Sequence, residues 1–373
     1  MVGGGEGAFI GAVHRIAARL DDRYELVAGA FASDPERARA SAAALHVAPE
    51  RAYGDYRDMA AAESQRGDGI DVVAIVTPNH LHFDIARTFL KAGIHVICDK
   101  PMTTALADAE ALATLVARTG LFFGLTHNYT GYPLVREARA MVAAGKLGKL
   151  RVVQVEYPQD WLSRRLEETG QKQAAWRTDP VRSGPAGCLG DIGSHAYHLV
   201  RYVSGLKLQS LLADLTTFVP GRALDDNAHI LLRFEGGARG MLWSSQVAPG
   251  NQNALRLRVY GHKGGLEWAQ EQPNSMIFSP LGAQPRILCR HGPGLSDAAM
   301  AAARIPPGHP EGYLEAFAQL YSEFADNIHD CLEGRPAVAV AGVGVEDGVD
   351  GVRFITRALE SSAAGGVWVD MAP

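Results

Sequence analysis

An acid and two histidines lie close together in the segment "CLGDIGSHAYHLV" (188–200). Positions four apart share a face of an α-helix, so Asp191 and His195 would point the same way, with His198 close by. The pattern fits a proton-transfer pair, a two-histidine, one-carboxylate metal site, or a helix end that Asp191 caps. Three metal ligands on one helix would need unusual geometry. The sequence therefore favours proton transfer and predicts no metal.

A glycine-rich turn at the start of the chain, "MVGGGEGAFIGAVHRIAARL", has the residues that a dinucleotide needs. Glycine lets the backbone approach a pyrophosphate, and the following helix supplies N–H donors at its N-terminus. The glycine spacing is longer than G-x-G-x-x-G, and a flexible glycine-rich N-terminus is the alternative. We predict cofactor contacts at Gly3, Gly5, Phe9 and Ile10. Because only Met1 and Val2 remain for a first strand, we expect that a few upstream residues are missing.

The first third of the chain alternates between strand-like and helix-like segments. Asp34 and Pro35 begin one helix as N-cap and first helical residue. The run 70–78 is continuously apolar, as in a strand buried on both faces of a parallel sheet. The alternation predicts a parallel, doubly wound Rossmann sheet. The predicted strands are 24–32, 70–78, 94–101 and 121–128, and the predicted helices are 34–45, 80–93 and 104–120.

The end of the second predicted strand bears on the choice between NAD and NADP. An acid at this position would hold the ribose 2′-hydroxyl of NAD, but the sequence has Ala32 and Ser33. Ser33 and Arg37 could accept a 2′-phosphate, although Arg37 could equally be a solvated helix residue. The sequence leaves both cofactors open.

Composition excludes several classes of function. A length of 373 residues suggests two domains. The net charge of −5, with scattered Lys and Arg, gives no footprint for nucleic acid. No apolar run is long enough for a membrane span, and the N-terminus lacks a signal pattern. The four cysteines are far apart, which suits reduced thiols in a cytoplasm and argues against disulfides or structural zinc.

Several short motifs follow one another in an order typical of one family. They are "TPNHLH" (77–82), "DKP" (99–101), "THNYTGYPLVREARAMVAAGKLGKLRVVQ" (126–154), "AAWRTDP" (174–180) and "GDIGSHAYH" (190–198). With them the whole chain resembles the Gfo/Idh/MocA oxidoreductases, which are NAD(P)-dependent sugar and inositol dehydrogenases. The resemblance implies a Rossmann domain, predicted at 1–128, and an α+β domain with a large open, mostly antiparallel sheet, predicted at 129–373. It also implies a homodimer or homotetramer.

The second half of the sequence supports this sheet. A turn is expected at 235–239, where Gly236 and Gly237 can adopt positive φ. The stretch 282–310, rich in Gly, Pro and Ala, is expected to be a long loop. Strand-like runs occur at 150–157, 208–218, 228–234, 239–246, 254–260 and 265–268.

The resemblance also implies roles for individual residues. Lys100 would donate to the substrate oxygen, although its motif here is D-K-P where the family has E-K-P. In the family pattern G-x-x-x-D-x-G-x-H, His195 would be the acid/base, and Asp191 would orient it or bind a substrate hydroxyl. Cofactor contacts are implied for Thr77, Pro78, Asn79, His82, Asp99, Lys100, Asn128, Trp176 and Arg177.

Other candidates would bind the substrate. "YPQDW" (157–161) sets Trp161 beside Gln159 and Asp160, which suits the C–H face and the hydroxyls of a sugar. The alternative is a structured loop with a buried tryptophan. His198 would contact substrate or only pack. A helix opens within 308–324, where His309 and Tyr313 would line the pocket, whereas Phe317 and Tyr321 suit a core.

The sequence thus predicts an NAD(P)-dependent oxidoreductase that moves a hydride between the nicotinamide and a secondary hydroxyl or keto group. The expected substrate is a sugar, a glycoside or an inositol. Two alternatives remain open at this point. One is an enzyme that cleaves glycosides by transient oxidation and elimination, and the other is a non-catalytic nucleotide-binding sensor.

Overall fold

The computed structural model describes residues 1–335 and 343–372. The chain divides into two compact units. The first consists of Met1–Asn128 and Phe317–Val349, and the second of Tyr129–Ala316 and Asp350–Pro373. The domain boundary expected after residue 128 stays a prediction.

The helices and strands of the described residues follow one another along the chain as follows. The helices are α1 (Phe9–Leu20), α2 (Pro35–Ala44), α3 (Tyr56–Glu63), α4 (His82–Lys91), α5 (Leu106–Thr119), α6 (Pro133–Ala143), α7 (Lys172–Arg177), α8 (Pro180–Ser183), a π-helical turn (Leu189–Gly193), α9 (Ser194–Ser204), α10 (Asp297–Ala301), α11 (Tyr313–Leu332) and α12 (Val345–Ala363). The strands are β1 (Val2–Gly3), β2 (Val72–Val76), β3 (His95–Cys98), β4 (Phe123–Leu125), β5 (Leu150–Pro158), β6 (Leu208–Thr216), β7 (Asn227–Phe234), β8 (Arg239–Ser245), β9 (Arg256–Gly261), β10 (Gly264–Ala269), β11 (Ser275–Pro280), β12 (Arg286–Cys289) and β13 (Val369–Asp370).

A parallel sheet organises the first unit. Within the described residues it has the order β1-β2-β3-β4. On the other side of β1, Ala30 forms an isolated parallel bridge to Val2. The following segments therefore pair with β1 on both of its sides. Doubly wound sheets bind ligands at such a topological switch point. The predicted parallel Rossmann sheet is confirmed.

The predicted strand at 24–32 is wrong as a regular strand. Only Gly29 and Ala30 make bridges there, to Ala52 and Val2 respectively. The reason is the length of the neighbour, because β1 offers two residues for pairing. The expected helix cap at Asp34 is confirmed, since its Oδ1 accepts from the backbone N–H of Arg37 at 2.8 Å.

A large sheet organises the second unit. Within residues 129–316 and 350–372 it has nine strands in the order β12-β11-β10-β9-β5-β8-β7-β6-β13. Neighbours are antiparallel except for the parallel pair β5 and β8. This confirms the predicted open, mostly antiparallel sheet. Gly236 and Gly237 turn the chain between β7 and β8 with φ of 76° and 95°, as expected.

The prediction of one long loop at 282–310 is wrong. This stretch contains β12, which pairs with β11 so that Ile287 lies opposite Ile277. It also contains α10, which Ser296 caps by accepting from the backbone N–H of Ala299 at 3.3 Å. The high glycine and proline content correctly indicates turns in this stretch, but it gives no sign of the short strand and helix between those turns.

The two faces of the large sheet differ in character. Its inner face forms the core of the second unit, where Trp268 is fully buried and Tyr197 stacks on Phe354 with ring centroids 4.0 Å apart. Burial of each such side chain stabilises the fold by roughly 1.5–3 kcal/mol. The outer face carries a cross-strand row that runs Leu231, Met241, Gln154, Arg258, Glu267, Ile277 and Ile287.

No α-helix in residues 1–335 and 343–372 is long and apolar enough to cross a membrane.

A buried histidine in the first unit predicts acid sensitivity. His14 on α1 is fully buried, with Nδ1 2.8 Å from the hydroxyl of Tyr321, and burial lowers its pKa to about 4. An unfolded histidine binds its proton near pH 6.5. The unfolded chain therefore holds more protons between pH 6.5 and 4, and stability falls across this window, by roughly 3 kcal/mol for this residue.

The His14→Gln variant removes this titration. Urea unfolding at pH 7.0 and pH 4.5 should show a smaller loss of unfolding free energy for His14→Gln than for the wild type. Equal losses in both proteins would show that His14 does not stay neutral in the folded state.

Candidate active site

The glycine turn of the first unit is packed too tightly for side chains. A Cβ on Gly11 would lie 2.4 Å from the Cα of Gly4, so the turn and α1 touch through bare backbone. Gly3 and Gly4 have φ of 79° and 72°, a left-handed conformation that favours glycine. No side chain caps α1 at Ala8, so the N–H groups of its first turn are available to an anion.

Two polar side chains follow the carboxyl ends of β2 and β4, on either side of β3 in the parallel sheet. Thr77 follows β2 and Asn128 follows β4. Thr77 Oγ1 and Asn128 Nδ2 are buried and have no hydrogen-bond partner among the described residues. A Cβ on Gly3 would lie 2.9 Å from Thr77 Cγ2, so the glycine turn and the Thr77 loop adjoin. The tightly packed glycine turn and these two polar groups, which have no partner among the described residues, fit a dinucleotide.

Lys100 lies at the carboxyl end of β3 in a turn that its own neighbour holds. Asp99 Oδ1 accepts from the backbone N–H of Lys100 at 2.9 Å and from the hydroxyl of Thr126 at 3.0 Å. The His82 ring lies between this turn and the Thr77 loop, with Nδ1 2.8 Å from Pro101 O and Nε2 3.0 Å from Thr77 O. Burial lowers the pKa of His82, and a neutral ring has one N–H, so it donates to one of these two carbonyls at a time.

In the second unit, the first of the two histidines follows a π-helical turn. Asp191 lies inside this turn, and His195 and His198 lie in α9. The α-helical spacing on which the shared face was predicted therefore does not apply between Asp191 and His195. Asp191 is also not the helix cap, a position held by Cys188 for the π-helical turn and by Gly193 for α9.

A second carboxylate fixes the start of the π-helical turn. Asp225 Oδ1 accepts from the backbone N–H of Gly187 at 2.6 Å, and its Oδ2 accepts from that of Leu189 at 2.8 Å. The backbone carbonyl of Asp225 accepts from Cys188 at 2.9 Å. A Cβ on Gly187 would lie 2.1 Å from this same carbonyl, so the contact requires glycine. π-Helical turns of this kind occur frequently at functional sites.

The carboxylate of Asp191 is held from two sides. Gln246 Nε2 donates to Asp191 Oδ2 at 2.9 Å, and Arg177 Nε lies 3.3 Å from the same oxygen. The guanidinium of Arg177 also lies over the ring of Trp176, 4.4 Å from its centroid. The ion pair and the amide donor fix the direction of this carboxylate.

His195 is buried beside two tyrosines. Its ring lies 4.9 Å from that of Tyr129, edge to face, and 6.5 Å from that of Tyr157. The two tyrosine hydroxyls share a short hydrogen bond, and Tyr157 donates to Asn253 Oδ1 at 2.7 Å. Burial raises the pKa of Tyr129 to about 12 and raises that of Tyr157 well above its ordinary value. Both phenols therefore stay protonated at neutral pH.

A chain of amides continues from these tyrosines. Gln159 donates to Asn253 Oδ1 at 2.8 Å, and Trp161 Nε1 donates to Gln159 Oε1 at 3.0 Å. Gln246 Nε2 lies 3.4 Å from Gln159 Oε1 and so connects this chain to Asp191. The result is an imidazole beside two phenols, from which a chain of amides leads to a carboxylate. Such a set can move a proton and bind several hydroxyl groups.

Known proteins share both halves of this chain. The family model described as "Oxidoreductase family, NAD-binding Rossmann fold" matches residues 1–127, and that described as "GFO/IDH/MocA C-terminal domain" matches residues 135–267. The chain belongs to the Gfo/Idh/MocA oxidoreductase family. The resemblance predicted from the motifs is confirmed, and this family member is an oxidoreductase with an NAD-binding Rossmann domain.

Individual relatives extend over most of this oxidoreductase. An inositol dehydrogenase homolog from Azotobacter vinelandii, solved with NAD+, has 40% identity and a TM-score of 0.94, with 99% of this chain and 96% of that one covered. Its complex with NADH and myo-inositol has 38% identity and a TM-score of 0.92, over 99% and 96% of the two chains. The levoglucosan dehydrogenase of Pseudarthrobacter phenanthrenivorans is 27% identical over 81% of this chain and 80% of its own.

Several predicted residues of the oxidoreductase lie near the groups described above, and others do not. His198 is buried, and its ring stacks on Tyr202 with centroids 6.4 Å apart. Asp160 Oδ2 accepts from the backbone N–H of Gly250 at 3.2 Å. His309 is exposed, and its carbonyl accepts from Arg290. At the strand ends of the first unit, Pro78 and Asn79 follow Thr77 as the start of a 3-10 turn, and Ser33 and Arg37 are exposed.

The structure gives Arg177 a partner that the motifs did not indicate, and it brings further residues into the site that the motifs missed. The family resemblance assigned Arg177 to the cofactor, whereas the structure pairs it with Asp191. Within the described residues there is no group of three His, Cys, Asp or Glu side chains placed to hold a metal ion. The missed residues are Tyr129, Tyr157, Asp225, Gln246 and Asn253. Tyr129 and Tyr157 stood inside quoted motifs, but the three others follow strands or loops without any local signature.

Proposed function

We propose that this protein is an NAD(P)-dependent dehydrogenase that acts on a secondary hydroxyl, or the corresponding ketone, of a sugar, a glycoside or an inositol. The observation that carries the proposal is the position of His195 beside two phenols, from which an amide chain leads to Asp191. This set offers a proton acceptor together with many hydrogen-bonding groups for a polyhydroxylated ligand. The A. vinelandii homolog with NADH and myo-inositol supports the same substrate class.

The residues have separate roles in the proposed reaction. Bound NAD(P) supplies the hydride acceptor or donor. His195 takes the hydroxyl proton during oxidation, and Lys100 donates to the substrate oxygen as negative charge develops on it. Asp191, held by Arg177 and Gln246, binds a substrate hydroxyl and keeps the site polar.

A screen of neutral sugars and cyclitols tests this function. Purified protein with NAD or NADP should convert at least one of them, with a rise in absorbance of the reduced cofactor. Net accumulation of reduced cofactor distinguishes a dehydrogenase from a glycoside-cleaving enzyme, which would release an aglycone without it. Dinucleotide binding without any turnover on the whole panel would favour a sensor and contradict the proposal.

Cofactor preference depends on the end of the 24–32 segment. Asp34 already caps α2, so it is occupied, and no acid precedes it at Ala32 or Ser33. Ala32→Asp should shift preference toward NAD by about tenfold or more, because a carboxylate there accepts from the ribose 2′-hydroxyl and repels a 2′-phosphate. The ratio of kcat/KM with NAD to that with NADP measures the shift. An unchanged ratio would show that residue 32 does not adjoin the adenosine ribose.

We also propose a homodimer or homotetramer built on the outer face of the large sheet, in the cytoplasm. Leu231 and Met241 lie side by side on this face and are 47% and 40% exposed, so they form an apolar contact that a second copy would bury. The four cysteines, all within the described residues, are free thiols, as suits a reducing compartment.

Light scattering tests the assembly. The wild type should have at least twice the chain mass of 39.9 kDa, and Met241→Arg should shift it toward a single chain because it buries an unpaired charge in the interface. Asp58→Arg, at an exposed position of α3, is the matched control. A wild type of single-chain mass would exclude the assembly.

A further inference from the structure

A cavity of about 1130 Å³ lies in the second unit, next to the amide chain of the candidate site. Its wall includes Asn253, which accepts from the hydroxyl of Tyr157, whose ring lies 6.5 Å from that of His195. Ligand pockets usually measure about 300–1,000 Å³. The cavity is therefore connected to His195 through Asn253 and Tyr157, and it offers more room than one sugar ring fills.

Hydrogen-bonding side chains form much of this wall. Asn253 Nδ2 donates to Gln270 Oε1 at 3.0 Å, and Gln270 Nε2 donates to the hydroxyl of Tyr132 at 3.2 Å. Tyr132 and Tyr313 add aromatic surface to the same cavity. Amides and phenols, together with aromatic rings, are suited to the hydroxyls and C–H groups of carbohydrates.

All the charged side chains that line the cavity are acidic. Among the described residues that line the cavity are Glu271, Glu311 and Glu315, and none of the lining residues is Lys, Arg or His. Glu311 is buried and ion-paired with Arg290 at 2.8 Å through Oε1, while its Oε2 has no hydrogen-bond partner among the described residues. Glu271 is exposed, and no cation among the lining residues offsets it. A phosphate or carboxylate in this cavity would meet the negative charges of Glu271 and Glu315, with no cation among the lining residues.

We propose that this cavity is a subsite for a second, uncharged sugar unit, so that the substrate is a neutral glycoside or oligosaccharide rather than a single ring or a sugar phosphate. This inference rests on the proposed dehydrogenase function. The unit to be oxidised contacts His195, and the attached sugar occupies the cavity beyond Asn253.

Matched sets of probes test the subsite. Each set contains a single unit, its glycosylated form and its phosphorylated form: myo-inositol, galactinol and myo-inositol 1-phosphate, or glucose, cellobiose and glucose 6-phosphate. For at least one set, kcat/KM of the glycosylated probe should exceed that of the single unit by about tenfold or more, because the second unit adds binding energy. The phosphorylated probe should be poorer than the single unit.

Two variants connect these preferences to the cavity. Gln272 lines it and is exposed, so Gln272→Trp should fold and narrow the cavity. This change should lower the ratio of kcat/KM for the glycosylated probe to that for its single unit by about tenfold. Glu271→Gln removes a charge at nearly constant volume and should reduce the discrimination against the phosphorylated probe.

The outcomes separate the two proposals. Turnover of single units without any preference for a glycosylated probe, or a preference that Gln272→Trp leaves unchanged, would overturn the subsite and leave the dehydrogenase function standing. A failure of every probe to reduce NAD or NADP would overturn the dehydrogenase function and the subsite with it.

Discussion

Replacement of His195 by alanine should lower kcat by about 10²- to 10⁴-fold, the usual effect of losing a general acid/base. The side chain is buried beside Tyr129 and Tyr157, and both phenols keep their protons at neutral pH. The imidazole is therefore the group best suited there to take a proton near pH 7. Steady-state kinetics on the substrate found in the sugar screen, with calorimetric titration of the cofactor, should show lost turnover and nearly unchanged cofactor affinity.

His198→Ala is the matched control for this variant. His198 lies three residues further along α9, and its ring stacks on Tyr202, so its loss should cost less than about tenfold in kcat. Exhaustive chelation should leave the wild-type activity in place. If chelation abolishes turnover, zinc or manganese restores it, and His198→Ala is as damaging as His195→Ala, the three side chains bind a metal.

Lys100→Ala should lower kcat by about 10²- to 10³-fold, because it removes the donor that meets the charge developing on the substrate oxygen. The turn that carries Lys100 is fixed by Asp99, which accepts from Lys100 N and from Thr126. The loss should therefore reflect the missing ammonium group and not a displaced backbone. Rapid kinetics should locate the loss in the hydride-transfer step.

Lys91→Ala, at the exposed end of α4, removes a lysine of the same unit and should leave kcat unchanged. A Lys100→Ala enzyme with normal kcat and a raised KM would mean that Lys100 binds substrate and transition state equally. That result would contradict its assignment as the donor to the reacting oxygen.

The sequence predicted best those features that depend on short stretches of chain. Gly3 and Gly11, the Asp34 cap and the apolar run of β2 each act on residues nearby, so their physical consequence can be inferred from local spacing. The segment 24–32 failed for a non-local reason. It has the composition of a strand, but the two-residue β1 beside it limits pairing to isolated bridges.

The candidate site was harder to predict because distant segments complete it. Gln246 follows β8 and Asn253 precedes β9, and neither position has a pattern that separates it from other polar loop residues. The spacing of Asp191 and His195 assumed an α-helix, whereas a π-helical turn intervenes. The motifs mark Arg177 as a candidate cofactor contact, and only the structure could show that it pairs with Asp191.

The anchoring of the π-helical turn by Asp225 has a consequence for chimeras between relatives. Both carboxylate oxygens and the backbone carbonyl of Asp225 hold residues 187–189, which lie far from it in the chain. A graft of residues 187–198 from another family member would carry the acid and histidine of the donor but not the anchor of the donor. Residues 187–198 and the anchor at position 225 must therefore be exchanged together. Recombination between relatives should transfer substrate preference only when both segments come from the same parent.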